Sequence, residues 1–261
     1  VKRLAPLLLA CGLWPGLGIA ADPGYAELPG AQFESILAYE DIADGAHIAP
    51  FALAKRPVTN AEFLRFVQTH PQWRRDRVPA VFADSSYLSH WQAADALGQE
   101  ALPEQPVTRV SWFAASAYCE AQGARLPTWL EWEYAAAADE TRADARQDPA
   151  WRERMLGWYA RPSSAPLPTV GQSPADVWGV QDLHGLVWEW VDDYAAMLVS
   201  SDNREQSDPD RLRFCGAGAL SMRDRENYAV MMRVAMLSAL SAGDTTRNLG
   251  FRCAKDRSGS P

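Results

Sequence analysis

Eleven tryptophans in 261 residues constrain this chain more than any other feature of it. Each indole combines a large apolar ring with one N–H donor, so burying this many requires an interior well supplied with acceptors. With 17 Gly and 18 Pro interrupting regular structure, that interior is expected to be loop-rich. Apolar residues make up 48% and charged residues 22%, enough for a sizeable core and unlike a disordered chain. The 33 acidic residues outnumber the 25 Lys and Arg. That balance argues against nucleic-acid binding, whose affinity comes from cations set against phosphates.

The first residues read as an export signal. Val1-Lys2-Arg3 is a short basic region, Leu4 to Ala21 is apolar, and Gly18-Ile19-Ala20-Ala21 offers small residues for cleavage. Pro6, Pro15 and several glycines make it a poor membrane anchor, and nothing later reaches spanning length. Residues 1–21 are therefore expected to be a signal peptide and the mature protein to be periplasmic or otherwise exported. Leu8-Leu9-Ala10-Cys11 also resembles a lipobox, in which Cys11 would carry a lipid anchor; ordinary cleavage suits the apolar run to Ala20 better. Beyond the signal stand Cys119, Cys215 and Cys253. In an oxidising compartment the simplest arithmetic is one disulfide and one free thiol.

Local signals place several elements. His47–Lys55 reads as a strand running into a turn at Arg56-Pro57. Thr59…Glu62 and Thr128…Glu131 are capping boxes, each opening a helix; the first must stop before Pro71 and the second continues to Ala138. Between them a helix follows Ser111, with Trp112, Ala115 and Cys119 on one stripe and Gly123 as its stop. Asp139–Arg154 mixes charges of both signs and reads as a solvated face without chemistry. Short strands are expected near Val187–Val191 and Gly250–Ala254. The predicted fold class is α+β, one domain over residues 22–256, with 257–261 a disordered tail.

Five separated segments, in order, resemble the formylglycine-generating enzyme family, the sulfatase-modifying-factor domain. They are Arg56–Phe63 (RPVTNAEF), Pro106–Trp112 (PVTRVSW) running on to Ala117-Tyr118-Cys119, Arg125–Tyr134 (RLPTWLEWEY), Gly179–Trp190 (GVQDLHGLVWEW) and Asn248–Cys253 (NLGFRC). The resemblance implies a C-type-lectin-like fold over nearly the whole mature chain. It also implies a disulfide between Cys119 and Cys253. A second bridge of the family falls on Ala136 and Val234, both lacking sulfur.

The chemistry departs from the family. Its formylglycine-forming members hold copper with two cysteines, a soft pair suited to Cu(I); here those positions fall on Asp224 and Ala229. Formylglycine synthesis is therefore not expected. The family's calcium-associated Gly-Asn-Val-Trp-Glu-Trp appears as Gly185-Leu186-Val187-Trp188-Glu189-Trp190. Leu186 removes an oxygen from a cation that takes six or more, leaving Glu189 as a weak remnant and counting against calcium. The iron-dependent sulfoxide synthases of the family use a His-rich helix in an added domain, whereas the four histidines here are scattered.

Around the vacated positions, the resemblance puts Ser221 on the family's active-site serine and Trp190 on an aromatic lining the substrate cleft. Asp224 and Glu226 are candidate acid/base groups or hard-metal ligands, Arg225 an anion clamp, and Tyr228 a further client-binding residue. A surface loop whose charges pair with one another explains the same residues. Cys215, in Phe214–Gly218 (FCGAG), is a candidate copper ligand or mixed-disulfide thiol, against a small buried residue behind glycines. Asp182 and His184 resemble a metal pair, but a hydrogen-bonded structural histidine fits the family's turn better.

Family members without the cysteine pair act in pyoverdine maturation or are encoded beside copper nitrite reductase, and FCGAG, Asp224–Tyr228 and Asn248–Cys253 look most like the latter group. The resulting expectation is a maturation factor for a periplasmic copper or redox enzyme of denitrification, acting on a protein client. The cofactor stays open between copper, iron and none. The alternatives are a metal-dependent oxidase or tailoring enzyme using the same cleft, and a C-type-lectin-like ligand-binding module.

Overall fold

A computed structural model of the chain describes residues 24–35, 45–160, 166–195 and 228–257. Its strands are short. β1 (Tyr25–Leu28), β4 (Phe51–Ala54) and β7 (Ala254–Asp256) form an antiparallel sheet in the order β1-β4-β7. β2 (Ala31–Phe33) pairs with β3 (Ala46–Ile48). The segment expected to be one strand over His47–Lys55 is thus two, divided at Ala49-Pro50, because Pro50 brings no N–H to a ladder and its two flanks join different sheets.

Helices pack around these strands: α1 (Asn60–Thr69), α2 (Trp112–Ala121), α3 (Trp129–Ala136), α4 (Pro149–Tyr159) and α5 (Tyr228–Ser238). Both capping boxes are formed. Thr59 Oγ1 accepts from the Glu62 backbone at 3.2 Å while the Glu62 carboxylate accepts from the Thr59 N–H at 2.8 Å. Thr128 and Glu131 repeat the exchange at 3.2 and 2.9 Å. Ser111 caps α2. The mixture of helix and short strand is α+β.

Asp139–Arg154 is mostly exposed, as a solvated face should be, with Asp139, Ala145 and Trp151 as its buried exceptions. The stretch contains Ala145 and the start of α4, whose Trp151 and Met155 are buried, and Asp139 itself is buried. Its acids and arginines pair largely with one another: Arg142 bridges Asp139 at 2.5 Å and Asp148 at 2.6 Å.

One parallel pair organises the centre. β5 (Trp188–Glu189) runs beside β6 (Leu249–Gly250), with Glu189 opposite Gly250. A Cβ on Gly250 would lie 2.6 Å from the Val107 carbonyl oxygen, so glycine lets the Val107 backbone approach β6. Cys119 on α2 and Cys253 just before β7 are joined as a disulfide, with Cα atoms 5.5 Å apart. Trp129, Trp132 and Trp190 have no exposed surface. The indoles of Trp91, Trp112, Trp132 and Trp190 donate to acceptors, while those of Trp129 and Trp178 have none.

Candidate functional site

Where the fold places the expected site residues

Glu189 is the residue whose role changes most. It is fully buried, and both carboxylate oxygens are taken by the guanidinium of Arg252, itself fully buried, at 2.9 Å each. Oε2 also accepts the Trp132 N–H at 2.8 Å. A carboxylate already neutralised by two charge-assisted bonds has little left for a cation. Glu189 is therefore a structural partner of Arg252, and these residues do not fit calcium. Trp190, expected in the client cleft, is in the core instead: its N–H donates to Val110 O at 2.9 Å and its ring meets Tyr194 edge-on at 5.0 Å. It offers no surface to a client.

Ser221, Asp224, Arg225, Glu226 and Cys215 lie outside the described residues, as do the signal segment, Cys11 and most of the tail. Tyr228 is the first residue of α5. That helix is anchored by Arg233, which is 1% exposed. Its guanidinium lies 3.5 Å from the centre of the Trp132 ring and donates to the Glu189 carbonyl. Sequence reasoning missed both arginines. The available signal was Arg252 itself, a charge set between Phe251 and Cys253 in an apolar run, which requires a buried partner.

Asp182 and His184 do not form a metal pair. Asp182, at φ 60°, accepts from the backbone N–H groups of Gly171 and Ser173 and so clamps a turn. Among the described residues no group of three or more His, Cys, Asp or Glu could hold a metal ion.

A cavity between α4 and the turn before β5

His184 is fixed from one side. Its Nε2 lies 2.8 Å from the Ala136 carbonyl oxygen, which can only accept, so Nε2 carries the proton and Nδ1 presents a lone pair. Burial, with Arg233, Arg252 and Arg154 nearby, lowers its pKa to about 4, so the ring is neutral at pH 7. Three indoles surround it: Trp158 stacked at 6.0 Å, Trp151 edge-on at 5.6 Å and Trp132 edge-on at 5.7 Å.

These groups border a cavity of about 180 Å³ that is also lined by Met155 and Asp176. Asp176 Oδ1 accepts from the Trp178 and Val180 backbones at 2.9 and 2.8 Å. Desolvation raises its carboxyl to about 6. A second, more polar recess of about 230 Å³ lies beside Cys253, between Tyr25, Arg56, Glu62 and Lys255.

The two titrations oppose each other. His184 stabilises the fold above its ordinary pKa near 6.5 and loses about 3 kcal/mol as pH falls to about 4. Asp176, raised from 3.8 to about 6, makes the folded state bind its proton more readily, so its contribution improves on acidification over the same window. Asp176→Asn is expected to lose stability more steeply than the wild type between pH 6.5 and 4. Denaturation midpoints at pH 7, 5 and 4 check this; parallel profiles would show that the offset does not exist.

Similarity to known proteins

Residues 22–257 match the family described as the sulfatase-modifying factor enzyme 1-like domain. The chain is 29% identical to the formylglycine-generating enzyme of Streptomyces coelicolor, covering 93% of this chain and 95% of that one. It is 27% identical to the inactive C-alpha-formylglycine-generating enzyme 2 of Bos taurus, over 96% and 95% respectively. A partial likeness, 32% identical over 55% of this chain and 38% of the relative, is to hercynine oxygenase of Mycobacterium tuberculosis. The α+β architecture agrees with the C-type-lectin-like fold implied by the five motif segments.

Proposed function

This chain belongs to the sulfatase-modifying factor enzyme 1-like domain family, and from that premise we propose that it is an exported member without formylglycine synthase activity, serving as a maturation factor for a periplasmic copper or redox enzyme of the nitrite reductase type. The observation that carries this reading is the thiol inventory. Cys119 and Cys253 are consumed in one disulfide, which leaves Cys215 as the sole thiol between residues 22 and 257. A copper site built on two thiolates of one chain cannot be assembled from one. The positions that would carry them hold Asp224 and Ala229, so these residues do not fit the family's copper.

Family membership alone decides nothing about turnover, since a relative named as active and one named as inactive are 29% and 27% identical to this chain. The client assignment is supported by FCGAG and Asp224–Tyr228, which resemble the nitrite-reductase-associated members. In this reading the segment carrying Ser221, Asp224, Arg225 and Glu226 contacts the client, with α5 fixing its end through Arg233.

Two measurements test the proposal. Protein starting at Asp22, loaded with Cu(I) without oxygen and then given oxygen and a cysteine-containing peptide, is expected to form no aldehyde. Cells lacking the gene are expected to accumulate the periplasmic copper enzyme with subnormal metal content, restored by the wild-type gene. Aldehyde formation would overturn the loss of synthase activity; an unchanged client would overturn the maturation role.

A further inference from the structure

The cavity beside His184 has features that the maturation reading does not use. His184 is 8% exposed, yet its Nδ1 lone pair has no hydrogen-bond partner, and Asp176 Oδ2, on the same cavity wall, is also buried without one. Leaving buried polar atoms unmatched is costly, so two on residues lining one cavity call for a donor-bearing occupant. Both atoms are acceptors. The remaining polar lining is mostly acidic, with Asp139, Glu140 and Asp182 set against the single guanidinium of Arg154. The apolar side is aromatic: Trp151 and Trp158 come from α4 and close over the imidazole. Gly185, at φ +84°, lies so close under Trp158 that a Cβ would sit 2.8 Å from its ring. Glycine at that position lets the indole wall stand where it does.

We propose that the cavity walled by Trp151, Trp158 and His184 binds a small organic amine, whose N–H groups donate to His184 Nδ1 and Asp176 Oδ2 while its apolar part lies against the indoles. An ammonium group brings two or three donors and a positive charge, and the faces of tryptophan attract cations more strongly than those of other aromatic residues. The neutral tautomer of His184, held by Ala136, keeps Nδ1 an acceptor. Since about 150 Å³ accommodates a benzene ring, a cavity of about 180 Å³ has room for a ring with a short amino arm. The proposal uses none of the residues on which the maturation reading rests, so each can fail without the other.

Benzylamine is a suitable probe, with toluene matching its shape without donors and benzoate reversing its charge. Calorimetric titration of protein starting at Asp22 is expected to show saturable binding of benzylammonium, at least tenfold tighter than either control. The 15N resonance of His184 Nδ1 should shift as a hydrogen bond forms there. Asp176→Asn is expected to weaken binding at least tenfold. Trp158→Leu, on the half-buried outer wall, supplies a second variant with the same expectation should the first fail to fold. Equal affinity for toluene would overturn the proposal by showing an apolar cavity only. Absence of saturable binding by benzylammonium, as for a cavity satisfied by water, would overturn it too, as would unchanged affinity in both folded variants.

Discussion

Arg252→Met is expected to lower the free energy of unfolding by about 3–5 kcal/mol, the usual cost of leaving one partner of a buried ion pair uncompensated. The expectation rests on complete burial of both groups and on two bonds of 2.9 Å between them. Arg252 also donates to the carbonyls of Ala54 at 3.1 Å and Gln181 at 2.9 Å, so one guanidinium joins β4, the turn before β5 and the final segment. The paired variant Glu189→Leu with Arg252→Met removes both charges. It is expected to recover part of the loss, because no ion remains buried, though the Trp132 N–H and two carbonyls then lack partners. Urea denaturation of the single and double variants distinguishes these outcomes. A single variant losing under 1 kcal/mol would mean that water reaches Glu189.

Replacing Cys119 and Cys253 by serine is expected to cost up to about 5 kcal/mol, since the bridge closes a loop of 134 residues and the loop-closure term grows with the logarithm of that length. In a chain of this size each kcal/mol corresponds to roughly 2–4 °C, so the midpoint should fall by up to about 10–20 °C. Both cysteines are buried, at 0 and 2% exposure. A thiol reductant should therefore leave the folded protein oxidised for long periods and lower its melting temperature only once unfolding exposes the bridge. Rapid reduction of the native protein by dithiothreitol would contradict the burial on which the argument depends.

These two expectations bear differently on the function. The disulfide stabilises the fold whatever activity the chain has. The Glu189–Arg252 pair sits under Trp132 and under Arg233, which holds the middle of α5. Loosening it should therefore disturb both α5, through Arg233, and the end of β4, through Ala54.

The sites differ in how legible they were. Asp139–Arg154 is legible as a solvated stretch because its charges keep most of it exposed, but hydropathy does not show that Arg142 lies between Asp139 and Asp148 and pairs with both. That pairing frees Trp151 and Met155 to turn inward. Glu189 carried a metal expectation because motif position alone cannot reveal that a guanidinium 63 residues away occupies both oxygens. His184 was correctly read as a hydrogen-bonded structural residue on one side, but nothing local announced that its other nitrogen would border a cavity.

What the amino-acid sequence determined by itself was set by contacts three or four residues apart and by simple counts. Thr59 and Thr128 start their helices because Glu62 and Glu131 lie within reach along the chain, and the cysteine count leaves three beyond residue 21, of which the fold joins two. Tertiary structure decided everything that depended on distant partners: the burial of Trp190, the division of His47–Lys55 at Pro50, the capture of Glu189 by Arg252, and the indole walls around His184. Those outcomes turn on which segments exclude water together, and a charge or a lone pair acquires its role only when that exclusion brings a partner to it or withholds one.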